Sequence, residues 1–253
     1  MKKAKSILMA LLLVVILSCK EKTSQRMTAQ QIVDKSIEVC GGERYKTSDI
    51  SFKFRDKEYV SETVNGQKVL KRIFTSDSLV TVDIKSPNGF TRKVDGKPVK
   101  VMDSLARVYS NSINSVHYFA YLPYGLNDPA VNKEYLGEIT INGKDFYKIK
   151  VTFDQENGGD DFDDVYVYWF NTETFIPEYL AYEFHVNGGG IRFREAYNER
   201  YVNGIRFVDY NNFKSVKDSQ SISKIDSLFM KNELELLSKI ELEEISVNPG
   251  NYN

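Results

Sequence analysis

Histidine, cysteine, tryptophan and proline are scarce: the 253 residues include two His, two Cys, one Trp and six Pro. Two cysteines cannot build the multi-bridge framework that staples small secreted domains. Two histidines leave little for a zinc centre, which needs His117 and His185 to meet beside a carboxylate. Neither charge sign dominates, with 34 Lys+Arg against 35 Asp+Glu, so the broad basic face of a nucleic-acid binder is excluded. The longest apolar run, Ile7 to Leu17, has eleven residues, well short of the roughly 20 that span a bilayer. A Gly-x-Ser-x-Gly elbow, a P-loop and a Gly-x-Gly-x-x-Gly after a strand are all missing. Alternating strand–helix units are missing too, which excludes a parallel α/β barrel. No cofactor is implied.

Aromatic residues, by contrast, are plentiful. There are 16 Tyr and 15 Phe, and 42% of residues are hydrophobic. That mix, with frequent turn signals, favours strands and supports a sizeable core. The N-terminus has its own pattern. Lys2, Lys3 and Lys5 precede the apolar run, and Ile16-Leu17-Ser18-Cys19 follows without a break. This reads as a signal peptide over residues 1–18, with Cys19 placed as in a lipobox. Its thiol would carry the diacylglycerol, and acyl chains at about 0.8 kcal/mol per buried methylene explain a membrane tether. Lys20 stands where an Asp would indicate inner-membrane retention by analogy with enteric lipoproteins, so the outer membrane is favoured, with the periplasmic or surface face open. Cys40 is then left without a partner and is expected to be buried.

Residues 19–27 read as a tether and residues 28–247 as one β domain, with a tail over 248–253. Thr28 and Gln31 form a capping box. Ala29, Ile32, Val33, Ile37 and Cys40 share a helical face, which Gly41-Gly42 ends. The period then changes to two. Asn65-Gly66, Asn88-Gly89, Asp95-Gly96, Asn142-Gly143 and Asn203-Gly204 mark hairpin turns. A helical insertion interrupts the strands, with Leu105, Val108, Tyr109, Ser112, Ile113, Val116 and Ala120 on one stripe. Asp103 or Ser104 can cap it, and Pro123 and Gly125 follow its end. Residues 215–227 read as a polar loop. Leu234 to Val247 fits either a helix or a terminal edge strand. The expected fold is mainly β (α+β). It is a curved antiparallel sheet or half-barrel of about ten strands, with an N-terminal helix and the insertion covering its concave face.

The run Trp169-Phe170-Asn171-Thr172-Glu173-Thr174-Phe175-Ile176-Pro177-Glu178-Tyr179 resembles the strand–turn–strand unit of LolA-like and LppX-like envelope proteins. Val39 to Tyr45, His117 to Ala130 and Arg192 to Asn198 are similar to a family of uncharacterised lipoproteins common in Bacteroidota. The first resemblance implies a half-barrel closed by a helical insertion. The second implies no activity.

Val165-Tyr166-Val167-Tyr168-Trp169-Phe170 is apolar at every position, so both faces of that strand require cover. One face can take the helix, and the other needs a second layer, a partner or a ligand. The leading expectation is therefore a non-enzymatic lipoprotein holding a lipid or other hydrophobic ligand. Its cavity candidates are Phe52, Phe54, Tyr166, Tyr168, Trp169, Phe170, Tyr182 and Phe184. Arg192 and Arg194 share a strand face and are candidates for a carboxylate or phosphate headgroup. His117, Tyr118, Phe119, Tyr121 and Tyr124 are candidates for a lid. Two alternatives stand beside it. One is an interaction or scaffold lipoprotein with a self-filled core and an envelope protein partner. The other is a hydrolase using carboxylates such as Glu195 or those of Asp160 to Asp164. Asp160, Asp161, Asp163 and Asp164 also form a calcium-type loop, though without EF-hand spacing.

Overall fold

The computed structural model describes residues 26–156, 162–185, 188–215 and 221–250. The signal-peptide and Cys19 readings, and Asp160 and Asp161 of the acidic loop, fall outside the described residues. Helix α1 spans Ala29–Cys40 and starts with the capping box read from the sequence. The Gln31 amide donates to Thr28 Oγ1 at 3.2 Å, and the Thr28 amide donates to Gln31 Oε1 at 2.9 Å. Gly41 ends α1 at φ 143°, and a Cβ there would lie 2.9 Å from the Tyr45 ring and 3.2 Å from the Ile205 backbone. Only glycine suits both the dihedral and the close approach. A single turn, α2 (Arg44–Thr47), leads into the strands.

Six strands follow: β1 (Ser48–Phe54), β2 (Lys57–Val64), β3 (Gln67–Ser76), β4 (Leu79–Ser86), β5 (Gly89–Val94) and β6 (Lys97–Val99). Helix α3 (Asp103–Ala120) comes next, then a 3₁₀ turn at Tyr124–Asn127. The second set of strands is β7 (Val131–Ile141), β8 (Lys144–Phe153), β9 (Val165–Asn171), β10 (Pro177–Phe184), β11 (Gly190–Val202) and β12 (Ile205–Ser215). After a second 3₁₀ turn come α4 (Ile225–Met230), β13 (Leu234–Ile240) and β14 (Leu242–Pro249).

The fold is mainly β, a curved antiparallel half-barrel with an N-terminal helix and a helical insertion. The described residues form fourteen strands rather than about ten, in two seven-stranded sheets ordered β14-β1-β2-β3-β4-β5-β6 and β13-β12-β11-β10-β9-β8-β7. The C-terminal run, open between helix and strand in sequence, is two strands that join the sheets. β13 pairs with β12, and one residue later β14 pairs with β1. Buried Asp209 holds this seam. It accepts from the Leu242 amide at 2.9 Å, Arg200 Nη2 at 2.9 Å and Asn198 Nδ2 at 2.6 Å.

The segment read as a polar loop over 215–227 includes the second 3₁₀ turn and the start of α4. Ile222, Ile225, Leu228 and Phe229 pack against Phe146, Val167, Trp169 and Phe193 on the convex face of the second sheet. Trp169 Nε1 donates to Asp226 at 3.2 Å, and Lys148 Nζ pairs with the same carboxylate oxygen at 2.5 Å. Alternation along β9 thus sends Val167 and Trp169 to α4 and Tyr166, Tyr168 and Phe170 to the concave side.

Helix α3 buries Ile113, Val116, His117 and Ala120. Val116 and Ala120 join Phe52, Tyr59, Phe207 and Leu242 in the core over the first sheet. The apolar stripe read along the helix is only half used, since Leu105 and Val108 are exposed. Its N-cap is Met102, with no side-chain bond, so neither Asp103 nor Ser104 caps it. Among the described residues no helix is long and apolar enough to cross a membrane.

Candidate functional site

A cavity of about 670 Å³ lies between α3 and the concave face of the second sheet. That size falls within the roughly 300–1,000 Å³ of small-molecule sites. Its ceiling is the α3 face opposite the first sheet: Asn111, Asn114, Ser115, Tyr118 and Phe119. Ser115, Tyr118 and Leu122 recur at three and four residues, which places them on one side of the chain as α3 ends. Lys85 from β4 and Phe153 from β8 complete the walls.

Strand register builds the floor. In one cross-strand row, Val151 pairs with Tyr166, Tyr166 with Tyr182 and Tyr182 with Arg192. In the next, Ile149 pairs with Tyr168, Tyr168 with Leu180 and Leu180 with Arg194. Each row therefore starts on an aliphatic residue, passes through tyrosine and reaches an arginine, directly from Tyr182 in the first and by way of Leu180 in the second. Tyr166 and Tyr182 stack with centroids 5.6 Å apart, and Arg192 lies 4.9 Å over the Phe184 ring. Arg194 lies 4.9 Å over Tyr182 and 5.5 Å over Phe119.

Four of the eight sequence candidates, Tyr166, Tyr168, Tyr182 and Phe184, line this cavity, as do Arg192 and Arg194. The others do not. Phe170 shares the concave face but packs inside the core with Ile32 and Val33. Trp169 faces α4, and Phe52 packs under α3. Phe54 packs against Tyr59 and Phe119, outside the cavity lining. The lid candidates divide similarly. Tyr118 and Phe119 face the cavity, whereas Tyr121 and Tyr124 contact Tyr45 in the core over the first sheet. His117 lies among Phe52, Tyr59 and Tyr121, and its desolvation pulls the imidazole down to about 4. Sequence reasoning missed Lys85, Asn114, Ser115, Phe153 and Leu180. The alternation of β10 carries a signal for Leu180 alone, since it shares a face with Tyr182 and Phe184.

Burial raises the Tyr118 and Tyr168 phenols far above their usual range, so both stay neutral. Neither hydroxyl has a hydrogen-bond partner among the described residues. Two carboxylates border the cavity, Asp128 and Asp164. Burial raises the Asp128 carboxyl, with Lys133 opposing. Glu195, a candidate catalytic acid in sequence, lies on the alternate face of β11 and accepts from Asn211 at 3.2 Å. Cys40 is buried as expected, and burial pushes its thiol up to about 11, with Arg206 opposing, which leaves almost no thiolate at neutral pH.

Asp163, Asp164 and His185 bring one ligand atom each to within 4.8 Å of one another. His185 Nδ1 lies 3.6 Å from Asp163 and 3.7 Å from Asp164. His117 is not part of this group, so the two histidines share no site. Two carboxylates and an imidazole suit a transition ion better than calcium, which takes oxygen ligands. The His185 and Asp163 side chains are over half exposed, so water competes for both.

No curated protein matches the chain. Several solved structures overlap it at low identity. A LolA superfamily protein from Nitrosomonas europaea is 13% identical, covers 87% of this chain and 94% of its own, and has a TM-score of 0.47. A DUF1329 family protein from Desulfovibrio piger is 10% identical, covers 87% and 93%, and has a TM-score of 0.48. The Mycobacterium tuberculosis lipoprotein LppX is 11% identical, covers 62% and 87%, and has a TM-score of 0.27. The family of unknown function DUF6503 matches residues 5–244, and the chain belongs to that family.

Proposed function

We propose that the chain is a lipid-anchored envelope lipoprotein that holds a lipid or other hydrophobic ligand in its half-barrel cavity, without chemistry on it. The carrying observation is the 670 Å³ cavity over the Tyr166–Tyr182 and Tyr168–Leu180 rows. The rest of the interior is packed by the protein's own rings, as a scaffold would be: Trp169, Phe170 and Phe52 are fully buried. The cavity is a space left open beside aromatic side chains. Apolar surface there gains about 25 cal/mol per Å² when a ligand displaces its water.

Delipidated protein incubated with envelope lipid extract and examined by native mass spectrometry is expected to show one bound lipid per chain. A bare protein mass in excess lipid overturns the reading. Ser115→Trp sharpens the test, because it extends an indole from the ceiling into the cavity without touching the packed core. Losing room for about three methylenes, at about 0.8 kcal/mol each, weakens an acyl-chain ligand roughly 50-fold. The thermal midpoint should stay unchanged.

Anchoring is a separate matter, carried by the Lys2–Cys19 pattern. Expressed in a Gram-negative host, the full chain is expected to partition into the detergent phase of Triton X-114. Cys19→Ser should move it to the aqueous phase, since a thioether-linked diacylglycerol supplies the membrane affinity. Identical partitioning of both forms rules out lipidation at Cys19.

A further inference from the structure

Building on the cavity reading above, we propose that the ligand is an anionic amphiphile whose carboxylate or phosphate is held by Arg194 and Arg192. Volume admits its acyl chain, since a cavity of about 670 Å³ is in the range of small-molecule sites.

Charge selects the headgroup. A guanidinium carries five N–H donors and cannot lose its charge. Arg194 uses its donors sparingly. Its Nη2 donates to the Tyr182 hydroxyl at 3.2 Å, and its Nε is buried with no partner among the described residues. Its other contacts are ring faces: Tyr182, Phe119 and Tyr210. Arg192 spends one N–H on the Ile191 carbonyl at 3.0 Å and lies over Phe184. Neither arginine has a carboxylate in ion-pair reach among the described residues. By contrast, Arg72, Arg92, Arg200 and Arg206 each pair with an Asp or Glu. Lys85 adds a third cation on the cavity wall, bonded to the Asn114 amide oxygen. Of the acids there among the described residues, Asp164 lies against His185, and burial disfavours the charge on Asp128, with Lys133 opposing that shift.

The two arginines stand side by side at the ends of the two floor rows, with Tyr182 and Leu180 before them. An acyl chain along the rows therefore brings its oxyanion to the guanidinium pair. A planar, weakly hydrated guanidinium already stacked on rings is preorganised for a bidentate contact.

The test is competition against the neutral fluorophore N-phenyl-1-naphthylamine at pH 8, using oleate, oleyl phosphate and oleyl alcohol. Oleate or oleyl phosphate is expected to displace the dye at least about tenfold more effectively than the alcohol, the effect of one charge-assisted hydrogen bond. The tighter of the two anions names the headgroup. Arg192→Gln with Arg194→Gln should erase the preference, bringing the anions to the level of the alcohol in the same variant. Arg194→Lys, which keeps the charge and its place over the rings, should retain a preference. Equal displacement by all three competitors overturns the headgroup assignment while leaving the cavity reading intact. Failure of the dye and all three competitors to bind overturns both.

Discussion

Asp83→Ala is expected to destabilise the fold by about 3–5 kcal/mol, because it leaves two guanidinium groups facing an empty buried site. Asp83 is fully buried. Its carboxylate takes Arg72 Nη2 at 2.6 Å, Arg92 Nε at 2.6 Å and Arg92 Nη2 at 2.9 Å. Each arginine then reaches the underside of α3. Arg72 Nη1 donates to Ser112 Oγ at 3.0 Å, and Arg92 lies 4.2 Å over the Tyr109 ring. One acid on β4 therefore fixes two cations, and the cations fix the first half of α3, the helix whose later residues form the cavity's ceiling. That half has few apolar contacts of its own, as Leu105 and Val108 are exposed. Urea denaturation at pH 7 gives the free energy directly. A loss below about 1 kcal/mol would show that the triad is dispensable. Replacing Asp83 and Arg72 together by apolar residues of similar size should recover much of the loss, since buried ion pairs often exchange neutrally for packed apolar groups.

This triad shows what the sequence withheld. Asp83, Arg72 and Arg92 lie on three strands, and no spacing rule connects them. Local signals were readable where they are self-contained. The Thr28–Gln31 box and Gly41 bracket α1, and Asn–Gly and Asp–Gly pairs mark the hairpin turns. The Asn171 turn is also local: its side chain accepts from the Glu173 amide at 3.0 Å and the Thr174 amide at 3.1 Å. That turn helps set the β9–β10 register, which brings Tyr182 opposite Tyr166.

The misses share one cause. Alternation separates the two faces of a strand without saying what covers each. Both Tyr168 and Trp169 read as candidates for the cavity, yet α4 takes the tryptophan side. With six residues, IDSLFM, α4 is too short to show a helical period. The same limit hid the strand switch after Ile240. It depends on Asp209, a residue some thirty positions upstream that accepts from the Leu242 amide. The arginine pair was legible because two charges at i and i+2 on an otherwise aromatic strand stand out without tertiary information.

Acid should unseat α3 through His117. Desolvation is the largest cause of its low pKa, about 4 against the usual 6.5 of a free imidazole, and Lys85 and Lys68 push the same way. The bond offered by the Lys71 carbonyl, 3.4 Å from Nε2, acts in the opposite sense. The Tyr121 hydroxyl, 3.0 Å from Nδ1, and the rings of Phe52 and Tyr59 complete the surroundings. The unfolded chain therefore binds a proton at His117 that the folded chain refuses. Stability contributed by the neutral ring is whole above pH 6.5 and falls between pH 6.5 and about 4. Below that both states are protonated and no more is lost. At 1.36 kcal/mol per unit, the loss reaches about 2.5 kcal/mol by pH 4.5. Carboxylates titrate over the same range, so the measurement is a difference. Urea midpoints of the wild type and His117→Gln, taken at pH 7.5 and pH 4.5, should converge as the pH falls. Parallel pH profiles would show that His117 stays as easy to protonate in the fold as in water. Because His117 fixes α3 to the first sheet while Tyr118 and Phe119 form the ceiling of the cavity, the same titration should release bound dye. That release should occur in the wild type and not in the glutamine variant.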